Sequence, residues 1–152
     1  MRTIHLLQQA SVTRPLNVLG EAVTILGAGD DSKPFEVHVQ EGQRGGGPPP
    51  HHHPWDEAFY VLSGEVAVTI AGNRQVVRTG DMVHIPGGTV HAYENLSDTA
   101  KLLAVVSDCR GGAVFAAFDE SVQQLPDDLP VMLDIAAAHG VTFLDQGGPD
   151  QQ

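Results

Sequence analysis

The sequence holds one cysteine, Cys109. A single thiol excludes an intrachain disulfide and removes any thiolate cluster as the basis of a metal site. It suits a reducing compartment, and the expectation is a cytoplasmic protein. Basic residues are also scarce: 8 Lys and Arg stand against 19 Asp and Glu, a net charge of −11. A polyanion would meet repulsion instead of the counterion release that drives nucleic-acid binding, so neither nucleic acid nor an anionic membrane surface is an expected partner. No apolar run is long enough to span a bilayer. The opening Met1 to Ala10 has one Arg and an apolar stretch broken by Gln8 and Gln9, unlike the charge, core and cleavage pattern of a secretion signal.

What the sequence has in quantity is turn formers. Its 17 Gly and 10 Pro lie between short apolar runs, the pattern of an antiparallel all-β domain. The runs predict strands over Glu21 to Leu26, Phe35 to Gln40, Ala58 to Leu62, Glu65 to Ile70, Arg74 to Arg78, Met82 to Ile85, Val90 to Glu94, Leu102 to Ser107 and Ala113 to Ala117. So many short strands at near-regular spacing point to a sandwich or barrel. Ser63-Gly64, Ala71-Gly72-Asn73 and Pro86-Gly87-Gly88 supply the turns between them. Past Pro126, the residues Met132, Ile135, Ala136 and His139 recur at helical spacing, which predicts one short C-terminal helix over 129–139. At 152 residues the chain suits one domain, expected over 1–145 with a barrel core at 21–118 and a flexible, polar tail at 146–152.

The chemistry concentrates in a histidine run. His51 and His53 are two apart, so an extended strand aims both imidazoles at one face and His52 at the other. Glu57 follows at an even offset, ahead of Phe59 and Val61, while Asp56 has the odd offset that points outward. A fourth ligand has to come from another strand, and His91 suits that role, with Tyr93 sharing its facing. Three imidazoles and one carboxylate suit a divalent transition ion, with Mn, Fe, Co, Ni, Cu and Zn undivided by the sequence. Phe59, Val61, Tyr93 and His38 are candidate pocket residues, and Trp55 a wall residue. His84 reads as a surface residue, and Cys109 as a thiol that no local His or Asp marks as a nucleophile.

These residues resemble the cupin superfamily. Its first motif, G-x5-H-x-H-x3-E-x6-G, is matched by Gly45, His51, His53, Glu57 and Gly64. The second, G-x5-P-x-G-x2-H-x3-N, is matched by Gly80, Pro86, Gly88, His91 and Asn95, with 15 residues between the two motifs. The resemblance covers Gly45 to Asn95 and implies a jelly-roll β-barrel. It also implies one divalent metal per chain, on His51, His53, Glu57 and His91, and a homodimer to which the segment from Thr3 to Val18 contributes.

Fold alone does not choose a reaction among cupins. The resemblance to quercetinase-like members implies a dioxygenase acting on a small oxygenated organic substrate bound to the metal, with Glu57 as the base that removes a substrate hydroxyl proton. The alternatives are a non-redox Lewis-acid isomerase or decarboxylase, and a non-catalytic binding or sensing module. Sugar-phosphate chemistry is disfavoured, because Arg44 is the one basic residue close before the first motif.

Overall fold

The computed structural model describes residues 4, 6–27, 35–108 and 110–144. Cys109, Thr3 and the tail expected at 146–152 lie outside the described residues. Two antiparallel sheets make up the β structure. The first runs, in spatial order, β1 (Leu16–Val18), β2 (Glu21–Gly27), β3 (Glu36–Gln43), β10 (Thr99–Val106), β5 (Glu57–Ser63) and β8 (Met82–Ile85). The second runs β11 (Thr142–Phe143), β4 (His51–His52), β9 (His91–Asn95), β6 (Glu65–Ile70) and β7 (Asn73–Arg78). This is the all-β cupin jelly roll that the motifs imply. No helix among the described residues is long and apolar enough to cross a membrane.

Period-two burial explains why these segments are strands. In β10, Ala100, Leu102, Ala104 and Val106 face inward, and their neighbours on β5, Glu57, Phe59 and Val61, do the same. One core cluster packs Phe59, Val61, Val66, Val68 and Ile85 between the sheets. A second gathers Val23, Trp55 and Val106 under the helical part of the chain.

The segment expected to be a strand over Ala113 to Ala117 is instead helical, within α1 (Gly111–Ser121). Its buried residues are Gly111, Val114 and Phe118, a stripe at offsets of three and four that a strand does not produce. A short, alanine-rich apolar run fits either period, and packing against β1 decided it. Glu36 accepts a hydrogen bond from Gly112 N at 2.8 Å and so places a carboxylate at the first turn of α1. The C-terminal helix, α2 (Leu129–Ala138), forms as its periodicity predicts and buries Met132 and Ala136.

Two close approaches lock the loops that carry the site. A Cβ on Gly87 would lie 2.3 Å from Pro54 O, so the turn before β9 rests directly on the backbone beside His53. Gly47 has φ of +126°, and a Cβ there would lie 2.2 Å from Tyr93 O. Gly47→Ala is therefore expected to destabilise the fold by about 2–4 kcal/mol, combining backbone strain with displacement of β9. Urea unfolding checks this, and a midpoint equal to that of the parent chain would overturn it.

Candidate metal centre

His51 opens β4 and pairs directly with His91 on β9. His53 lies just beyond β4, where Pro54 ends the pairing, and Glu57 opens β5. All four side chains are buried. The ring centroids of His51 and His91 are 4.3 Å apart, those of His53 and His91 5.0 Å, and those of His51 and His53 5.7 Å.

A single device orients the three rings. His51 Nδ1 lies 2.9 Å from Pro49 O, His53 Nδ1 3.0 Å from Trp55 O, and His91 Nδ1 2.8 Å from Thr89 O. A carbonyl only accepts, so each Nδ1 carries a proton and each ring turns its Nε2 inward. Metal-binding histidines are held the same way, the outer nitrogen donating to a fixed acceptor.

The donor set fits an ion. One ligand atom from each histidine lies within 4.8 Å of the others, so a modest inward movement of the rings brings them to the roughly 3–4 Å separations of atoms bound at about 2.1 Å from one centre. His91 Nε2 is sealed from solvent and makes no hydrogen bond, and a buried ring nitrogen of that kind is one that a cation would satisfy. Glu57 Oε2 sits 3.1 Å from His53 Nε2 and 3.4 Å from His91 Nε2, so the carboxylate touches two of the three inward nitrogens. Burial alone would raise the Glu57 pKa, but the adjacent His53 and His91 imidazoles outweigh it and hold the carboxyl well below the usual carboxylate range.

His51, His53 and Glu57 line a cavity of about 80 Å³ walled mainly by apolar side chains. Trp55 stacks on His53 at 4.5 Å with the planes 7° apart, and Arg110 covers the other side of the indole region at 5.2 Å. Phe143 on β11 lies 5.5 Å from His51 and is paired with it in register. Of the pocket residues expected from sequence, Phe59, Tyr93 and His38 line this cavity. Val61 does not: it is fully buried in the core cluster between the sheets, in register with Leu102. Asp56 points away, accepting from Gly87 N at 2.8 Å and approaching His84, both on the exposed side.

Sequence reasoning missed Glu21, Gln40, Phe115 and Phe118, which also line the cavity. The two phenylalanines were lost with the misread helix. Gln40 had a legible signal, because Glu36, His38 and Gln40 alternate with Val37 and Val39, a polar face on a strand whose register turns it inward. Glu21 had none, standing alone before an apolar run.

Comparison with known proteins agrees with this geometry. Residues 35–106 match the Cupin_2 family, described as a cupin domain. The fold superposes on the structure of KdgF from Halomonas sp. with a TM-score of 0.64 at 20% identity, over 73% of this chain and 99% of that one. A protein of Streptomyces coelicolor of uncharacterized role is 33% identical over 52 residues, 34% of this chain and 50% of that protein. Quercetin 2,3-dioxygenase of Bacillus subtilis is 34% identical over 86 residues, 57% of this chain and 21% of that enzyme. The matched stretches thus span half or less of those two curated relatives. The barrel, both motifs and the family match mark a cupin domain over residues 35–106, and the chain has the cupin fold.

Burial has a consequence for the apo protein. His38 and His51 are each pushed down to about 4, chiefly by desolvation, whereas an imidazole in the unfolded chain titrates near 6.5. Between those values the unfolded state holds more protons, so stability falls as pH falls through that window. Below about 4 the folded rings protonate too and their contribution levels off. Denaturant midpoints of metal-free protein are expected to decline across the window; a flat or rising profile would contradict two buried neutral rings.

Proposed function

We propose that this cupin is a metal-dependent enzyme, a dioxygenase for a small oxygenated organic substrate, with one divalent transition ion per chain on His51, His53, His91 and Glu57. The observation that carries the reading is the convergence of three oriented imidazoles and a buried carboxylate beside an apolar cavity that His51, His53 and Glu57 line. The partial likeness to a quercetin dioxygenase supports the oxidative branch. A bound ion of this class would supply a Lewis-acidic centre with open positions and, where redox-active, a route for electrons.

The chain's own groups do the rest. Glu57 stays ionised and accepts the hydroxyl proton of a substrate held beside it. Trp55, Phe143 and the phenylalanines of α1 exclude water around that exchange. No Lys or Arg lines the cavity, and Arg44 is turned to Asp98 at 3.0 Å on the surface, so a phosphorylated substrate finds no countercharge among the lining residues.

Elemental analysis of untagged protein purified without chelator should find about one Fe, Cu, Ni, Co or Mn per chain, lost in the His51→Ala/His91→Ala double variant. Oxygen uptake then screens phenolic substrates, and Glu57→Gln is expected to retain metal while losing at least about 100-fold in turnover. Full activity of that variant rules out the base role. Turnover without oxygen uptake, or a zinc protein, would replace the oxidative reading with Lewis-acid isomerisation or decarboxylation. Tight ligand binding with no turnover would leave a binding module.

We also propose self-association as a homodimer, supported by exposed apolar residues: Leu6 ahead of edge strand β1, and Leu129, Val131 and Leu133 on α2. Sedimentation equilibrium should give twice the chain mass, and a monomer up to millimolar concentration would refute it.

A further inference from the structure

A second polar system lies in the cavity beyond the histidine triad, and its hydrogen bonds form a directed chain. Asn95 Nδ2 donates to Glu21 Oε1 at 2.8 Å. Tyr93 Oη donates to Gln40 Oε1 at 2.7 Å and also lies 3.0 Å from Glu21 Oε2. Gln40 Nε2 lies 3.0 Å from His38 Nε2. Every member is buried, with His38 and Asn95 at 0% and 1% exposed.

The shorter bond sets the direction. The Tyr93 hydroxyl has one proton for two acceptors; given to Gln40 Oε1 at 2.7 Å, it leaves the 3.0 Å contact with Glu21 Oε2 to a proton on Glu21. Burial independently favours that neutral form, since desolvation raises the Glu21 carboxyl despite its two hydrogen bonds. Gln40 Nε2 then donates to His38 Nε2, and the remaining His38 proton sits on Nδ1. His38 Nδ1 is sealed from water and has no partner. Phe115, 4.9 Å away and edge-on to the ring, offers no lone pair.

A buried N–H without an acceptor is rare in a folded protein and, on a cavity wall, marks where a ligand atom belongs. His38 shares a cross-strand row with Ala104 and Phe59, and Glu57 lies two residues further along β5. Across two strand spacings, His38 stands about 10 Å from the strand that carries Glu57.

We infer that His38 is a specificity-determining residue that donates its Nδ1–H to an acceptor oxygen of the ligand, so that the cavity selects a small, uncharged, mainly apolar molecule with a carbonyl or ether oxygen remote from the metal-facing group. This rests on the cavity being the substrate site, but not on turnover. Tyr93, Gln40 and Glu21 act through His38 as positioning residues that keep its proton on Nδ1.

The test uses zinc-loaded protein with 15N-labelled histidine and two probes of similar shape, acetophenone, which has an acceptor oxygen, and ethylbenzene, which has none. Ring 15N spectra should show His38 as the neutral Nδ1–H tautomer, with Nδ1 shifting on addition of acetophenone and not of ethylbenzene. Acetophenone should bind about five- to tenfold tighter, the ratio expected of one neutral hydrogen bond. His38→Phe should erase that ratio while ethylbenzene still binds. Gln40→Leu, which keeps the ring but removes what holds its proton, should lower the ratio and serves if the first variant does not fold. An Nε2–H tautomer at His38, or equal or undetectable binding of the two probes, overturns the inference. Because zinc supports no oxygen chemistry, the probe ratio reads His38 separately from the oxidative reading, which can fail while the ratio survives.

Discussion

Three imidazole-to-carbonyl hydrogen bonds determine what the site can be. Each takes its acceptor from a residue two positions away, Pro49, Trp55 or Thr89, where the backbone is leaving or entering a strand. A carbonyl fully engaged in a ladder would be a poorer partner, and proline at 48–50, 54 and 86 interrupts the ladders at these points by removing donors. The same interruptions leave β4 only two residues long, so it depends on neighbours at both edges: β9 through His51 and His91, and β11 through His52 and Thr142. Leu144 N extends that support with a 2.9 Å bond to Pro50 O. The chain's last described strand is thus part of the scaffold of its first ligand.

The helices cover part of the cavity beside β1. Here α1 lies across that region with Val114 and Phe118 turned inward, and Asp119 fastens it to the start of β1 by accepting from Asn17 N at 2.7 Å and pairing with Arg14. α2 backs α1 and adds Met132 and Ala136 to the same apolar cluster. Enclosure removes water, and removing water makes the arrangement of the few polar groups inside consequential.

Those parts of the molecule governed by local pattern were legible in the sequence. The hairpin β6–β7 and strand β8 fall where alternation and turn residues put them, and the four ligand candidates stand together because their spacing is set within two short motifs. What escaped depended on tertiary context. β1, β4 and β11 are two or three residues long and exist only because a neighbour pairs with them. The run 113–117 satisfied both periods until β1 presented a surface for a helix to cover. Val61 has the same parity as Glu57 and Phe59, but parity fixes a face and not a depth: two residues past Phe59 the strand has moved from the cavity into the packed centre.

The two carboxyl groups that line the cavity show why the ligand should be polar at its ends and uncharged overall. Glu57 faces imidazoles and is held ionised, whereas Glu21 faces only neutral hydroxyl and amide groups and is driven towards its neutral form by burial. Environments that push two carboxyls apart give one end of a cavity basic character and the other hydrogen-bonding character without charge. With no Lys or Arg on the walls, any anionic group away from the triad would be buried unpaired, at a cost that a few apolar contacts do not offset. The chain's net charge of −11 acts in the same sense outside, discouraging anions before they reach the mouth. A bias against anionic ligands is therefore a property of the cavity walls and the chain's charge, independent of the proposed metal.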